Sequence, residues 1–202
     1  MPEKTDSPNA LHVYQREVSQ SERSSLSVLA ALIQPGASVL DLGLGSGALG
    51  RHLTGLGWPA PDGLTYNPAE AELARPFYGR VEVANLEDAD LLSIFNGQRY
   101  DYIVCADVLE HLTQPNHVLS KCGALLESGG KLLISVPNAG YAGLVAELLQ
   151  GEFRYRDEGL LDRTHLRFFT RRSLQRFMLE NGWSLDALEV IESSLKESEF
   201  RT

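Results

Sequence analysis

Cysteine is scarce in this chain of 202 residues: Cys105 and Cys122 are the only two, both in apolar segments and at no metal-ligand spacing. That leaves no disulfide framework and no cysteine-built zinc site. Buried thiols in a reducing cytoplasm are the expectation, and no metal is expected. No apolar run reaches membrane-spanning length, and the start carries no charged-then-apolar leader, so neither a span nor export is expected. Basic residues are also few, 18 Lys and Arg against 27 Asp and Glu, with a formal net charge of -9 and no basic run. An acidic surface argues against the phosphate backbone of a nucleic acid as partner. There is no internal repeat or low-complexity segment. What is present is an ordinary globular composition, 43% apolar, 22% charged and 8% aromatic. It suits one domain large enough to bury a sizeable core.

Residues 1–18 are polar and contain prolines, and read as a flexible arm; residues 19–202 read as a single domain. The spacing of Val28, Leu29, Leu32 and Ile33 predicts a helix over about 19–34, stopped by Pro35 and Gly36. "SVLDLG" (38–43) reads as a short buried strand, and Leu49, Leu53 and Leu56 mark a helix from Gly47 to near Gly57. "DGLTYN" (62–67) is a second strand. Asn67, Pro68 and Glu70 then supply a cap, a first-turn proline and an acid three residues past the cap. "RVEVANL" (80–86), "YDYIVCAD" (100–107) and "GGKLLISVPN" (129–138) give three more strands. Between the last two lies a helix whose face carries Val118, Leu119, Cys122, Leu125 and Leu126. An amphipathic stretch at 141–150, a polar-aromatic loop at 151–169, a helix over about 170–181 and an extended "WSLDALEVIES" follow.

This alternation implies right-handed crossovers and a mainly parallel sheet with helices on both faces, a Rossmann-like doubly wound α/β fold. Ligands of such sheets sit beyond the carboxyl ends of the strands at the switch point. The loops at 43–47, 65–67, 85–87, 106–111 and 136–140 are thus expected around one crevice.

"VLDLGLGSGALG" (39–50) can be parsed as a dinucleotide G-x-G-x-x-G from Gly45, or as D-x-G-x-G-x-G from Asp41. The second parse ends the strand cleanly and assigns Gly50 to the following helix. It resembles motif I of the class I S-adenosylmethionine-dependent methyltransferases. "YDYIVCADVLEHLTQP" (100–115) and "LLESGGKLLISVPN" (125–138) look like the fourth- and fifth-strand regions of that family. "GLLDRTHLRFFTRRSL" (159–174) is similar to a bacterial branch often associated with glycan and secondary-metabolite pathways. The resemblance runs from about residue 36 to 183. It implies S-adenosylmethionine as cofactor, a small-molecule or glycan-like acceptor and transfer most readily to oxygen. It also implies a seven-stranded-type sheet whose C-terminal hairpin is abbreviated here, or a chain that is one domain of a longer protein.

Carried onto this chain, the resemblance assigns cofactor contacts to Asp41, Gly43, Leu44, Gly45 and Gly47 in the first turn. Thr65 and Tyr66 follow at the end of strand two, Asn85 and Leu86 after strand three, and Asp107 after strand four; Tyr14 can close over the cofactor from the arm. Two of these depart from the family pattern. Thr65 stands where an acid usually pairs with both ribose hydroxyls, and Asn85 where an acid often meets the adenine amino group. A lost charged hydrogen bond costs on the order of 1.5–3 kcal/mol. Catalytic expectations fall on His165 as general base and on Asp107. The alternative for His165 is a buried imidazole bonded to a carboxylate such as Asp162. His111, Arg163 and Arg167 are expected at the acceptor, although Arg163 and Arg167 can instead pair with Asp157, Glu158 and Asp162. For Glu110 and His111, capping and loop-fixing hydrogen bonds are the competing reading. Two other functions remain in view: a non-catalytic methyltransferase-like module, motivated by Thr65 and Asn85, and a nicotinamide-dependent oxidoreductase, which lacks its acid at the end of strand two.

Overall fold

Four consecutive buried residues, Val39–Leu42, form β1 at the centre of the sheet. A strand with no polar alternation is what burial on both faces requires. In the computed structural model, which describes residues 23–192 and 199–200, β1 pairs in parallel with β2 (Asp62–Thr65) and with β4 (Tyr100–Ala106). β3 (Arg80–Val83) extends one side and β5 (Leu126–Ser135) the other, giving the order β3-β2-β1-β4-β5, all parallel. The chain winds outward from β1 to β3 and then crosses back to β4. The switch point therefore lies past the carboxyl ends of β1 and β4. Tyr14 and the 1–18 arm lie outside the described residues.

Period-two alternation splits the core between two faces. Leu40, Leu42, Ile103 and Cys105 face α5 (Pro115–Leu125), whose Val118, Leu119, Cys122 and Leu125 are fully buried, and Met178 of α7 (Arg171–Glu180). Val39, Tyr102 and Val104 face α1 (Ser25–Ala31) through Leu26 and Leu29, and α2 (Ala48–Gly55) through Leu49 and Leu53. Caps set the ends: Ser24 and Ser27 form a reciprocal box before α1, and Thr170 and Ser173 do the same before α7. Asn67 caps α3 (Pro68–Ala74) by accepting from the Ala69 N–H, with Pro68 in the first turn. Two further helices, α4 (Leu91–Ile94) and α6 (Ala142–Leu149), complete the set.

Three differences from the sequence expectation bear on the extent of the sheet. The sheet has five strands among the described residues, not seven. Residues 183–192 run without strand pairing, and 187–191 face the outer edge of β5 across a cavity of about 430 Å³. Exposed ion pairs, Lys131 with Asp186 and Arg23 with Glu189, hold that segment in place of a ladder. Finally, Leu126 leaves the face of α5 to open β5, because it pairs with Tyr100 across the sheet.

Candidate functional site

The glycine turn after β1 is built by close approach. Gly43, Gly45 and Gly47 all have positive φ, at 82°, 53° and 87°. A Cβ on Gly43 would stand 2.5 Å from Val108 Cγ2, so both conformation and space demand glycine there. The Gly43 and Leu44 N–H groups donate to the Leu64 carbonyl, which clips the turn to the end of β2. Gly50 answers to a different constraint. It lies inside α2, where a Cβ would meet the Tyr78 ring at 2.2 Å. Packing, not phosphate binding, fixes this glycine.

Tyr78 explains Asp41. The phenol donates to Asp41 Oδ2 at 2.6 Å and accepts from the Gly50 N–H at 3.2 Å, linking strand, loop and helix. Burial pushes the Asp41 carboxyl up to about 6, with the Tyr78 hydrogen bond pulling the other way. The same burial and the facing carboxylate push the Tyr78 phenol upward. Tyr78 carried no signal in the sequence beyond following a proline and a phenylalanine; only the fold brings it to Asp41, 37 residues away.

Thr65 is buried at the end of β2, and its hydroxyl donates to Glu70 Oε2 at 2.8 Å while accepting from the Asn67 N–H. Glu70, read from sequence only as a first-turn acid, is itself buried and lines the cleft. A carboxylate therefore stands at the strand end after all, delivered from α3. Asn85 is exposed on the cleft wall and closes a local turn. Its carbonyl accepts from the Glu87 N–H at 3.0 Å, and its amide donates to Asp88 at 2.6 Å.

These residues enclose a cleft of about 480 Å³, within the range of small-molecule and cofactor sites. Asp41, Gly43, Leu44, Gly45, Thr65, Tyr66, Asn85, Leu86, Asp107 and His111 all line it, with Tyr66 exposed at the rim. Gly47 is turned away from it, against Ala74. Four of the five expected loops converge here. The fifth contributes Val136–Asn138 to the cavity beside β5 instead. Buried apolar walls at Leu44, Leu64 and Leu86, and the Thr65–Glu70 pair, match the two needs of a nucleoside: a face for the base and acceptors for ribose hydroxyls.

Asp107 sits at φ 54°, an uncommon conformation for a non-glycine residue. Its Oδ1 accepts from Ser135 Oγ at 2.8 Å, and its N–H donates to the Ser135 carbonyl, which fixes it at the mouth of the cleft. Beyond it, Glu110 and His111 lie on a 3₁₀ turn, Leu109–His111. The N–H groups of Leu166 and Arg167 both donate to the Glu110 carbonyl, at 2.7 and 3.0 Å, so the "DVLEHL" and "DRTHLRFF" stretches form one clasp. His165 is thereby stacked edge-on against His111, ring centroids 4.7 Å apart. Its Nδ1 bonds the Leu160 carbonyl at 2.9 Å, not Asp162, and Asp162 accepts from the Thr164 hydroxyl at 2.6 Å. Burial holds the His111 imidazole below its ordinary pKa, with His165 adding to the effect.

The structure brings neither arginine to the cleft lining. Arg163 pairs with Asp157 at 3.0 Å on the surface, and Arg167 donates to the Thr113 carbonyl. The solvation of both partners at the surface makes that placement inexpensive for a guanidinium.

A parallel sheet of this order, with a glycine turn after its central strand and a cleft at its reversal point, defines a Rossmann-like α/β architecture. The family model for a methyltransferase domain matches residues 14–188, and the chain belongs to the class I S-adenosylmethionine-dependent methyltransferases. It is 28% identical over 122 residues to the ubiquinone biosynthesis O-methyltransferase of Coxiella burnetii (strain Dugway 5J108-111), covering 58% of this chain and 51% of that protein. It is 26% identical over 169 residues to the protein of the same name from Burkholderia pseudomallei (strain 1710b), covering 78% and 68%. The chain thus spans about half the length of the first of these relatives. Among solved structures it resembles magnesium protoporphyrin IX methyltransferase from Synechocystis PCC 6803 with bound SAH (TM-score 0.60, 20% identity, 84% of this chain and 76% of that one). It also resembles a possible histamine N-methyltransferase from Thermotoga maritima (TM-score 0.59, 19% identity, 80% and 70%). Likeness at these identities speaks to the fold.

Proposed function

We propose that this domain transfers the methyl group of S-adenosylmethionine to an oxygen of a small hydroxylated acceptor. The observation that carries the reading is the convergence of four strand-end loops on one cleft that opens beside the His111–His165 pair. Gly43 and Gly45 would admit the cofactor's amino-acid half, and Thr65 with Glu70 would hold its ribose. Leu44, Leu86 and Asn85 would border its base. When bound, S-adenosylmethionine supplies a methyl group activated by a positively charged sulfur. The chain's own task is to orient the acceptor against that methyl and to ease loss of the hydroxyl proton.

Asp107 and the imidazole pair would serve that second task, with His111 on the cleft wall and His165 buried behind it. The O-methyltransferase names of the curated relatives support oxygen as the methylated atom. The Glu70 carboxylate beside Thr65 supports this reading over the non-catalytic module that Thr65 and Asn85 motivate.

The test is calorimetry with S-adenosylhomocysteine, with NAD as the comparator, followed by labelled methyl transfer to a panel of hydroxylated small molecules. Binding of S-adenosylhomocysteine but not NAD, with label appearing in an acceptor, is expected. Failure to bind S-adenosylhomocysteine at millimolar concentration rejects the reading.

A further inference from the structure

We infer that Glu199 and Phe200 are positioning residues, a strap over the 156–165 loop that sets the His165 and His111 imidazoles at the acceptor end of the cleft. The inference deepens the methyl-transfer reading and rests on it for what the strap serves, though not for the strap itself. Both residues lie past position 188, where the match to the methyltransferase family model ends.

Phe200 fills a socket between α6 and the loop. It is 9% exposed and packs with Leu144 and Leu161, both buried. Tyr141 lies against the ring with centroids 5.8 Å apart, and the Arg156 guanidinium stands over the ring, 4.5 Å from its centroid. That guanidinium is held by Glu147 of α6 at 2.6 Å in a largely buried pair, where a cation–π contact is stronger than at an open surface. Two glycines leave the room that the strap occupies. Gly143 lies inside α6, where alanine is the better helix former, yet a Cβ there would stand 2.8 Å from Phe200 Cβ and 2.7 Å from Tyr141 Cε1. Gly159 has φ 95°, and a Cβ there would collide with the Glu199 carboxylate.

The strap reaches the imidazoles through Leu160. The Leu160 N–H donates to Glu199 Oε1 at 2.6 Å, a charge-assisted bond, and the Leu160 carbonyl accepts from His165 Nδ1 at 2.9 Å. Glu199 thus holds the amide on one side of that carbonyl, and Phe200 holds the Leu161 side chain on the other. Together they set where the carbonyl points. The rest of the stretch is held by turn bonds, Arg156 N–H to the Leu161 carbonyl and Asp162 N–H to the Gly159 carbonyl, and Asp157, Glu158 and Gly159 are exposed. Segments with so few buried contacts open at low cost, so the two strap residues carry a large share of the order here.

The Leu160 carbonyl fixes a tautomer as well as a direction. A carbonyl oxygen only accepts, so the ring proton of His165 sits on Nδ1 and the lone pair on Nε2. The Thr164 hydroxyl spends its hydrogen on Asp162 Oδ1 at 2.6 Å, so toward His111 Nδ1, 3.0 Å away, it acts as an acceptor. That gives His111 the same tautomer, and the two rings meet edge-on at 4.7 Å. Thr164 and His111 both line the cleft, so an order imposed from the strap ends on the wall that would face the acceptor. A general base acts only when its lone pair faces the proton it removes, and a displacement of about 1 Å costs on the order of 100-fold in rate.

The experiment compares the wild-type full chain with Glu199→Ala and Phe200→Ala by amide hydrogen exchange, imidazole nitrogen-15 NMR and S-adenosylhomocysteine calorimetry, none of which needs an acceptor. In both variants, exchange across residues 159–165 should speed up at least about tenfold while β1 and α5 keep their protection. At about pH 8, the His165 and His111 nitrogen-15 shifts should leave the fixed Nδ1–H pattern for an average of the two tautomers. S-adenosylhomocysteine affinity should stay within about threefold, while kcat on the panel compound that takes most label falls at least about tenfold. Glu199→Gln, which keeps an acceptor oxygen, and Phe200→Leu, which still fills the socket, should fall between wild type and the alanine variants. Imidazole shifts that match wild type in both alanine variants overturn the inference, even where exchange speeds up, because the strap would then only pack. If Phe200→Ala loses its cooperative melting transition, Glu199→Ala decides, since it removes only an exposed carboxylate. Imidazole shifts that respond in a protein that binds no S-adenosylhomocysteine would sink the methyl-transfer reading and leave the strap standing.

Discussion

The Thr65 hydroxyl donates to Glu70 Oε2 across 2.8 Å, so a carboxylate reaches the end of β2 from a residue on the following helix. If that carboxylate grips ribose, Glu70→Gln should weaken S-adenosylhomocysteine by about 10- to 100-fold, the loss of one charge-assisted hydrogen bond of about 1.5–3 kcal/mol. The double variant Thr65→Asp with Glu70→Gln moves the charge back to the strand and should recover most of the affinity. Calorimetry reads both. A Glu70→Gln protein that binds like wild type removes Glu70 from the site.

Asp41 gives the stability of this protein a distinctive dependence on pH. Its carboxyl titrates near 6 in the folded chain against an ordinary 3.8, because burial outweighs the bond from Tyr78. The native state thus holds the proton more tightly than the unfolded state does. This group's contribution is full below about pH 4 and is lost as pH rises through 6. A shift of this size corresponds to about 3 kcal/mol. Asp41→Asn removes the titration, so the variant should gain about 3 kcal/mol on wild type between about pH 4 and 7.5 in urea denaturation. A stability difference that stays flat with pH would show that Asp41 titrates normally.

Gly50→Ala places a methyl 2.2 Å from the Tyr78 ring and displaces the residue that bonds Asp41. Overpacking of this kind costs about 1–3 kcal/mol, despite the better helix propensity of alanine. Denaturation should reveal the loss, with a weakened S-adenosylhomocysteine interaction beside it. An unchanged midpoint would mean that the ring moves away without cost.

Asn85→Asp restores the acid of the family pattern, yet it should not improve the site. The Asn85 amide donates to Asp88 at 2.6 Å, and an aspartate there would set two carboxylates against each other. Equal or lower S-adenosylhomocysteine affinity is expected, with a loop less resistant to proteolysis. A gain in affinity would show that the charge on the adenine side outweighs the local turn.

Much of the architecture was legible because it follows from local periodicity and turn chemistry. The buried run Val39–Leu42, the cap at Asn67 and Pro68, and the glycines after β1 each fix their own backbone through neighbours in sequence. Their order alone predicts a parallel sheet with its ligand crevice past the strand ends. The extended segment after α7 is not a strand because strand character needs a ladder partner, and residues 187–191 stand across a cavity from the edge of β5 instead of pairing with it. Arg163 and Arg167 left the site for a similar reason: charge in a loop says what a residue can bind, not where the loop aims it.

By itself, then, the sequence determined the strand–helix alternation, the glycine turn and four of the five loops expected at the cleft, since these follow from element order and from contacts within a few residues. Only the tertiary structure decided the long-range pairs. It set Tyr78 against Asp41, put Glu70 in place of the missing acid at Thr65, and folded His165 onto Glu110 and His111. Each of these depends on how helices pack across the sheet and how a distant loop hydrogen-bonds to it, and neither leaves a periodic trace in the chain.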